Sequence, residues 1–210
     1  MQGGPVTRER RIWLVRHGET EGQSSIRYHG SNDVALSDLG REQICGLVPF
    51  LEGVSFCDVV HSPQLRAKES ATLLRDGLSL APDLLRVDER MREICFGDAE
   101  GMTREEIDAA FPDFWAAYEA GRTDAFPGGE PRASFTARVA AAARELAAAP
   151  WSGDVLLVAH RGVVKYTIRA LLEPARAPQD AFEVELGSLS VLRQTSGAWA
   201  LEALGMRPEA

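Results

Sequence analysis

The chain has 210 residues, is 45% hydrophobic and 26% charged, and carries 23 Lys and Arg against 31 Asp and Glu, a net charge of -8. This size suits one domain able to bury a full core. The acidic balance speaks against a general binder of nucleic acid or anionic membrane, so any phosphate pocket has to be a local basic cluster.

Apolar runs alternate with longer amphipathic stretches, the pattern of a layered α/β domain. In chain order, the reading gives a flexible tail over 1–10, a strand over 11–16, a helix over 38–52 and a strand over 57–61. A helix over 63–76, a strand over 84–87 and helices over 103–120 and 132–148 follow. A strand over 155–159, a helix over 162–172 and strands over 182–186 and 189–194 come next, with a short last strand within Trp199 to Leu204. The expected architecture is a three-layer α/β/α sandwich around a mostly parallel sheet, a single domain over residues 11–205. Ser37 is placed to cap the first helix, and Ser62-Pro63 supplies a cap and a first-turn proline for the second. The 132–148 segment is rich in Ala, with Arg138, Arg144 and Glu145 on its polar face. Residues 98–132 read as a cap insertion over the strand ends, with Phe111, Phe114, Trp115 and Tyr118 ahead of the loop Phe126-Pro127-Gly128-Gly129-Glu130-Pro131.

Cys45, Cys57 and Cys95 are odd in number and lack metal-ligand spacing, which reads as reduced thiols in a cytoplasmic protein, Cys95 as a small buried hydrophobe. The polar start, Met1 to Arg11, has no signal-peptide core, and no apolar stretch approaches a membrane span.

The strand Ile12-Trp13-Leu14-Val15 runs straight into Arg16-His17-Gly18-Glu19-Thr20. A strand ending this way delivers two phosphate-seeking side chains to the carboxyl edge of the sheet, where open α/β sheets build their crevices. Gly18 permits a sharp turn and leaves room beside the imidazole. A neutral imidazole is a nucleophile toward phosphorus, and a guanidinium fork can hold phosphoryl oxygens. The arrangement resembles the signature of the histidine phosphatase superfamily, also called the phosphoglycerate mutase-like family.

Further pieces follow the family's order across residues 11 to 194. Arg66, in Ser62-Pro63-Gln64-Leu65-Arg66-Ala67, resembles the second phosphate-binding arginine. His160, after Val155-Leu156-Leu157-Val158-Ala159 and before Gly162, resembles the second histidine, which contacts the phosphoryl group opposite the nucleophile. Glu93 stands four residues before Gly97, with Glu100-Gly101 beyond, as the family's general acid does; Glu89 and Glu100 are its rivals. Thr20, Arg27, Gly129-Glu130 and Gly162 match positions that line the pocket or its lid. Two positions depart from the pattern. Gln23 stands where relatives often carry an Asn that contacts phosphate, and Arg161 replaces a Gly.

The resemblance implies a metal-independent, cofactor-free phosphomonoester hydrolase acting on a small phosphorylated metabolite. His17 attacks phosphorus; Arg16, Arg66 and His160 stabilise the equatorial oxygens; Glu93 protonates the departing alcohol, and water then hydrolyses the phosphohistidine. Arg161 adds charge near the mouth, either favouring a second anionic group or simply facing solvent. The four histidines, 17, 29, 61 and 160, show no metal-ligand spacing. The short cap is similar to that of the phosphatase branch, including ribazole phosphate phosphatases. A cofactor-dependent mutase and a non-catalytic phospho-ligand binding module are the alternatives. The expected partner is a small phosphomonoester, with neither nucleic acid nor membrane, and the chain is a monomer or homodimer.

Overall fold

Strands β1 (Arg10–Arg16) and β4 (Asp154–Ala159) are apolar along most of their length because both faces of the sheet they form are covered. The computed structural model describes residues 9–172 and 182–208, so the expected tail lies almost wholly outside the described residues. Within them, β1 and β4 join β2 (Phe56–His61), β3 (Leu85–Val87), β5 (Leu189–Thr195) and β6 (Ala198–Met206) in one sheet of order β3-β2-β4-β1-β5-β6. The first four in that order run parallel, and β5 and β6 are antiparallel to their neighbours.

Alternate residues of the strands serve the two faces. Ile12, Leu14 and Leu157 pack with Phe135 and Val139 of α6 (Arg132–Ala148) and with Val163 and Ile168 of α7 (Arg161–Leu171). On the other face, Val15, Leu156 and Val158 meet Ile44 of α1 (Asp38–Cys45), Leu51 of α2 (Val48–Leu51) and Leu74 of α3 (Leu65–Gly77). Each such buried side chain contributes about 1.5–3 kcal/mol against solvent. Between β3 and α6 lie α4 (Arg104–Ala110) and α5 (Phe114–Glu119), whose Ile107 and Phe114 build a small separate core with Phe126 and Ala99. The cap aromatics are therefore turned onto one another.

The register sets the site. Arg16 pairs with Ala159 and His61 with Val158, so the residues that follow each strand emerge together at one edge. Immediately beyond, a Cβ on Gly18 would stand 2.2 Å from the Gly40 carbonyl oxygen, and one on Gly40 would stand 1.9 Å from that of Glu19. The loop after His17 thus lies directly on the backbone of α1.

Four expectations need correction. The 38–52 helix is broken after Gly46, because Pro49 has no N–H to continue the ladder. The 103–120 helix divides at Phe111, forced out of helical geometry (φ -135, ψ 70) by Pro112. Ser37 does cap α1, accepting from the Gly40 N–H at 3.1 Å, whereas Ser62 does not cap α3, whose N-cap is Gln64 without a side-chain bond. Residues 182–186 show the strand alternation, with Phe182, Val184 and Leu186 buried and Glu183 and Glu185 exposed, yet they join no ladder among the described residues. The Val184 carbonyl is used instead to hold Arg16.

Candidate active site

His17 ends the run from β1 and is buried, 3% exposed. Its Nδ1 stands 2.7 Å from the Gly18 carbonyl oxygen. A carbonyl can only accept, so Nδ1 carries the proton and Nε2 is left with its lone pair. Burial, then the charges of Arg66 and Arg16, push the imidazole pKa well below 6.5. His17 is accordingly neutral at physiological pH, with a lone pair on Nε2 of the kind a base or nucleophile needs.

Two guanidiniums supply that field, one half-buried and one fully buried. Arg16 donates from Nη1 to the Val184 carbonyl at 2.8 Å. Arg66 is fully buried and donates to the carbonyls of Asn32 (2.7 Å), His29 (2.7 Å) and Gly30 (3.0 Å). Burial draws both down to about 10, with Glu93 opposing the shift, so both stay charged. Among the described residues neither forms an ion pair with a carboxylate, and the Nε of each is buried without a partner. Unneutralised, partly unbonded guanidiniums beside a bare imidazole nitrogen make a site for an oxyanion.

His160 is the N-cap residue of α7, 1% exposed, its ring 5.1 Å from that of His17. Burial, the charge of Arg66, the adjoining His17 ring and the charge of Arg16 depress its pKa well below 6.5 as well. Its Nε2 meets the Ser62 hydroxyl at 2.7 Å, and Nδ1 has no partner among the described residues. Glu93 is 9% exposed; one oxygen accepts the Ile94 N–H and the other the Gly162 N–H, both at 3.0 Å. Gly162 allows this, since a Cβ there would stand 2.5 Å from a Glu93 oxygen.

A cavity of about 220 Å³ opens at this edge, walled by Arg16, His17, Glu93, Arg27, Arg104 and Arg161 with Tyr28 and Phe96. Arg66 and His160 are buried and do not form part of that wall. Arg27 is there as expected, but it is held bidentately by Glu106 at 2.8 and 3.4 Å. Arg104 stacks 4.2 Å from the Trp115 ring, and Arg161 pairs with Glu183 at 2.6 Å.

Other candidates stand elsewhere. Gln23 is exposed, in the left-handed region (φ 59), and does not line the cavity. Thr20 is buried, its hydroxyl 2.8 Å from that of Ser24, and contributes no wall atom. Gly162 serves Glu93 rather than the cavity. Glu130 pairs with Arg138 at 2.8 Å on the far side of Glu93. Glu89 is exposed, and Cys95 is half-buried. Glu100 accepts from the backbone of Gly30, Ser31, Asn32 and Phe96, tying down the loop whose carbonyls hold Arg66. Ser62, Gln64 and this role of Glu100 escaped the sequence reading. Ser62-Pro63 carried only a capping signal, and nothing local marks a carboxylate that binds backbone from a distant loop. Among the described residues no cluster of His, Cys, Asp and Glu is arranged to hold a metal, and no helix is long and apolar enough to cross a membrane.

The two depressed histidines make stability sensitive to acid. Their folded-state pKa values lie below the unfolded 6.5, so the unfolded chain binds more protons once the pH falls below that value. Their contribution is complete above pH 6.5 and shrinks as the pH falls toward the folded values. The slope reaches at most about 2.7 kcal/mol per pH unit for the pair. Urea unfolding at pH 7.5 and pH 5.0 is expected to show this loss; equal stability at both would refute it.

Comparison with known proteins agrees with this geometry. The family model described as histidine phosphatase superfamily (branch 1) matches residues 12–207. A glucosyl-3-phosphoglycerate phosphatase from Mycobacterium tuberculosis is 35% identical over 201 residues, covering 92% of this chain and 88% of the relative. An adenosylcobalamin/alpha-ribazole phosphatase from Salmonella typhimurium is 31% identical over 198 residues, covering 94% and 96%. Among solved structures, a mycobacterial glucosyl-3-phosphoglycerate phosphatase complexed with VO3 superposes with a TM-score of 0.79 at 32% identity, over 93% of this chain and 98% of that one. The alpha-ribazole phosphatase from Shigella flexneri gives 0.81 at 27% identity, over 95% and 98%. With its paired histidines, the arginines Arg16 and Arg66 beside them and a family match over nearly its whole length, this chain belongs to the histidine phosphatase superfamily, branch 1.

Proposed function

We propose that the chain is a phosphoric monoester hydrolase that works without a metal, through a phosphohistidine at His17. The observation that carries this reading is the bare Nε2 of His17, fixed by the Gly18 carbonyl and set beside two guanidiniums that form no ion pair with a carboxylate among the described residues. The His17 Nε2 lone pair forms the N–P bond as the bond from phosphorus to the ester oxygen breaks, and Glu93 passes a proton to that oxygen. Arg16 and Arg66 hold the phosphoryl oxygens, and His160 takes one through its unpartnered Nδ1. Water then attacks phosphorus, Glu93 receives its proton, and inorganic phosphate leaves with His17 neutral again. Preorganised charge supplies most of the rate in such transfers.

The organic part of the substrate occupies the cavity of about 220 Å³, which suits a small metabolite. Tyr28 and Phe96 offer it apolar faces, and Arg27, Arg104 and Arg161, each paired with a carboxylate, complete the wall. The relatives are named as phosphatases of glucosyl-3-phosphoglycerate and of adenosylcobalamin/alpha-ribazole phosphate, which are phosphate esters of metabolites. Residues 11–205 act as one domain, and free thiols at Cys45, Cys57 and Cys95 suit a cytoplasmic enzyme. The test is hydrolysis of p-nitrophenyl phosphate, 3-phosphoglycerate, glucosyl-3-phosphoglycerate and alpha-ribazole phosphate by EDTA-treated protein. Release of inorganic phosphate unchanged by EDTA is expected from at least one. Inactivity on all four, or loss on chelation, would overturn the proposal.

A further inference from the structure

The Ser62 and Gln64 side chains are buried, belong to no step described so far, and join His160, Glu93 and the Arg66 loop in one chain of hydrogen bonds. The directions in this chain follow from its two backbone ends. Gln64 Nε2 faces the Gly30 carbonyl, which only accepts, and Gln64 Oε1 receives the Glu93 N–H at 3.1 Å, which only donates. The amide therefore has one orientation. Ser62 Oγ stands 2.8 Å from Oε1, so its single proton is spent there. His160 Nε2, 2.7 Å from Ser62 Oγ, must then be the donor. A neutral His160 consequently holds its proton on Nε2 and leaves Nδ1 bare, buried and without a partner among the described residues. His17 is locked the opposite way, with its proton on Nδ1.

We propose that Ser62 and Gln64 are positioning residues that hold His160 as the Nε2–H tautomer, so that a phosphoryl dianion is bound together with one proton, taken from solvent onto His160 Nδ1. This rests on the reading above that the phosphoryl group sits between His17 and His160. A bare Nδ1 repels an anionic oxygen; protonated, it donates. The charged and titratable groups around the ring are Arg16 and His17 at the end of β1, Arg66 on α3 and Arg138 on α6, with the Glu93 carboxylate at Gly162. The positive groups hold the free ring neutral, and an arriving dianion offsets them. The proton returns to solvent when inorganic phosphate leaves.

The experiment is nitrogen-15 NMR of histidine-labelled protein at pH 7.5, free and with saturating inorganic phosphate, on wild type, Ser62→Ala and Ser62→Thr, with signals assigned by His17→Gln and His160→Gln. In the free wild type, His160 is expected to carry a proton on Nε2 only; with phosphate, on both nitrogens. Ser62→Ala removes the acceptor and lets the ring turn to the Nδ1–H form, which meets phosphate without becoming an imidazolium. Ser62→Thr keeps the hydroxyl and restores the wild-type pattern. An Nδ1–H tautomer in the free wild type overturns the proposal on its own, whatever the variants do. A ring that stays neutral in the phosphate complex overturns the proton uptake, as does an imidazolium that survives in Ser62→Ala. Phosphate that binds without moving the His160 signals refutes the placement of the phosphoryl group instead, which separates the two failures.

Discussion

His17→Ala is expected to lower turnover of p-nitrophenyl phosphate by about 10,000-fold or more, to the level left by binding and charge alone. No other group can take over. His160 has its ring 5.1 Å away, but its Nε2 is committed to Ser62. His29 also lines the cavity, with Nε2 held 2.5 Å from the Gly22 carbonyl oxygen and Nδ1 buried. Wild type mixed with radiolabelled substrate and quenched in base is expected to retain label on the protein in an acid-labile, base-stable form, as a P–N bond requires. The alanine variant retains none. The loss is chemical rather than structural, because the ring contributes one side-chain hydrogen bond, to its neighbour's carbonyl. A melting temperature within several degrees of wild type checks that point. Residual turnover within about 100-fold of wild type would mean that water attacks phosphorus directly, and the covalent route would fall.

Most of the candidate site was legible in the sequence because its residues sit at the ends of strongly patterned elements. Arg16 and His17 follow an apolar strand, His160 follows another, and Arg66 lies in the first turn of the helix after β2. Register then brings them together without further information, since parallel neighbours end at the same edge. What escaped is what depends on packing between distant segments. Residues 182–186 alternate like a strand, but the carbonyl of Val184 is drawn to the Arg16 guanidinium rather than to a neighbouring ladder. Gln23 occupies a position where a contact was expected, yet its backbone bends into the left-handed region and its side chain faces outward. That region favours Asn over longer side chains, which gives the departure from the family pattern a conformational side. Glu100, a rival for the acid, proved to be bound to four backbone N–H groups. No spacing rule separates a carboxylate used that way from one that faces a cavity.

Glu93→Gln separates the two halves of the reaction through the choice of leaving group. An alkyl alcohol departs as a strong base and needs the proton that Glu93 gives; p-nitrophenolate departs without one. The variant is therefore expected to lose about 100- to 10,000-fold in kcat/KM on an alkyl phosphate such as 3-phosphoglycerate, and no more than about 10-fold on p-nitrophenyl phosphate. Because kcat/KM covers only the steps up to the first P–O cleavage, the water step does not enter it. That step appears in kcat, where the missing base slows hydrolysis of the phosphohistidine, so a burst of p-nitrophenolate equal to the enzyme concentration is expected before slow steady turnover. The substitution is not silent in the fold: both Glu93 oxygens accept an N–H, and an amide turns an NH2 toward either Ile94 or Gly162. Damage of that kind lowers both substrates together, whereas loss of a proton donor divides them. Equal losses on the two esters would strip Glu93 of the acid role and leave it as a support for the α7 N-terminus.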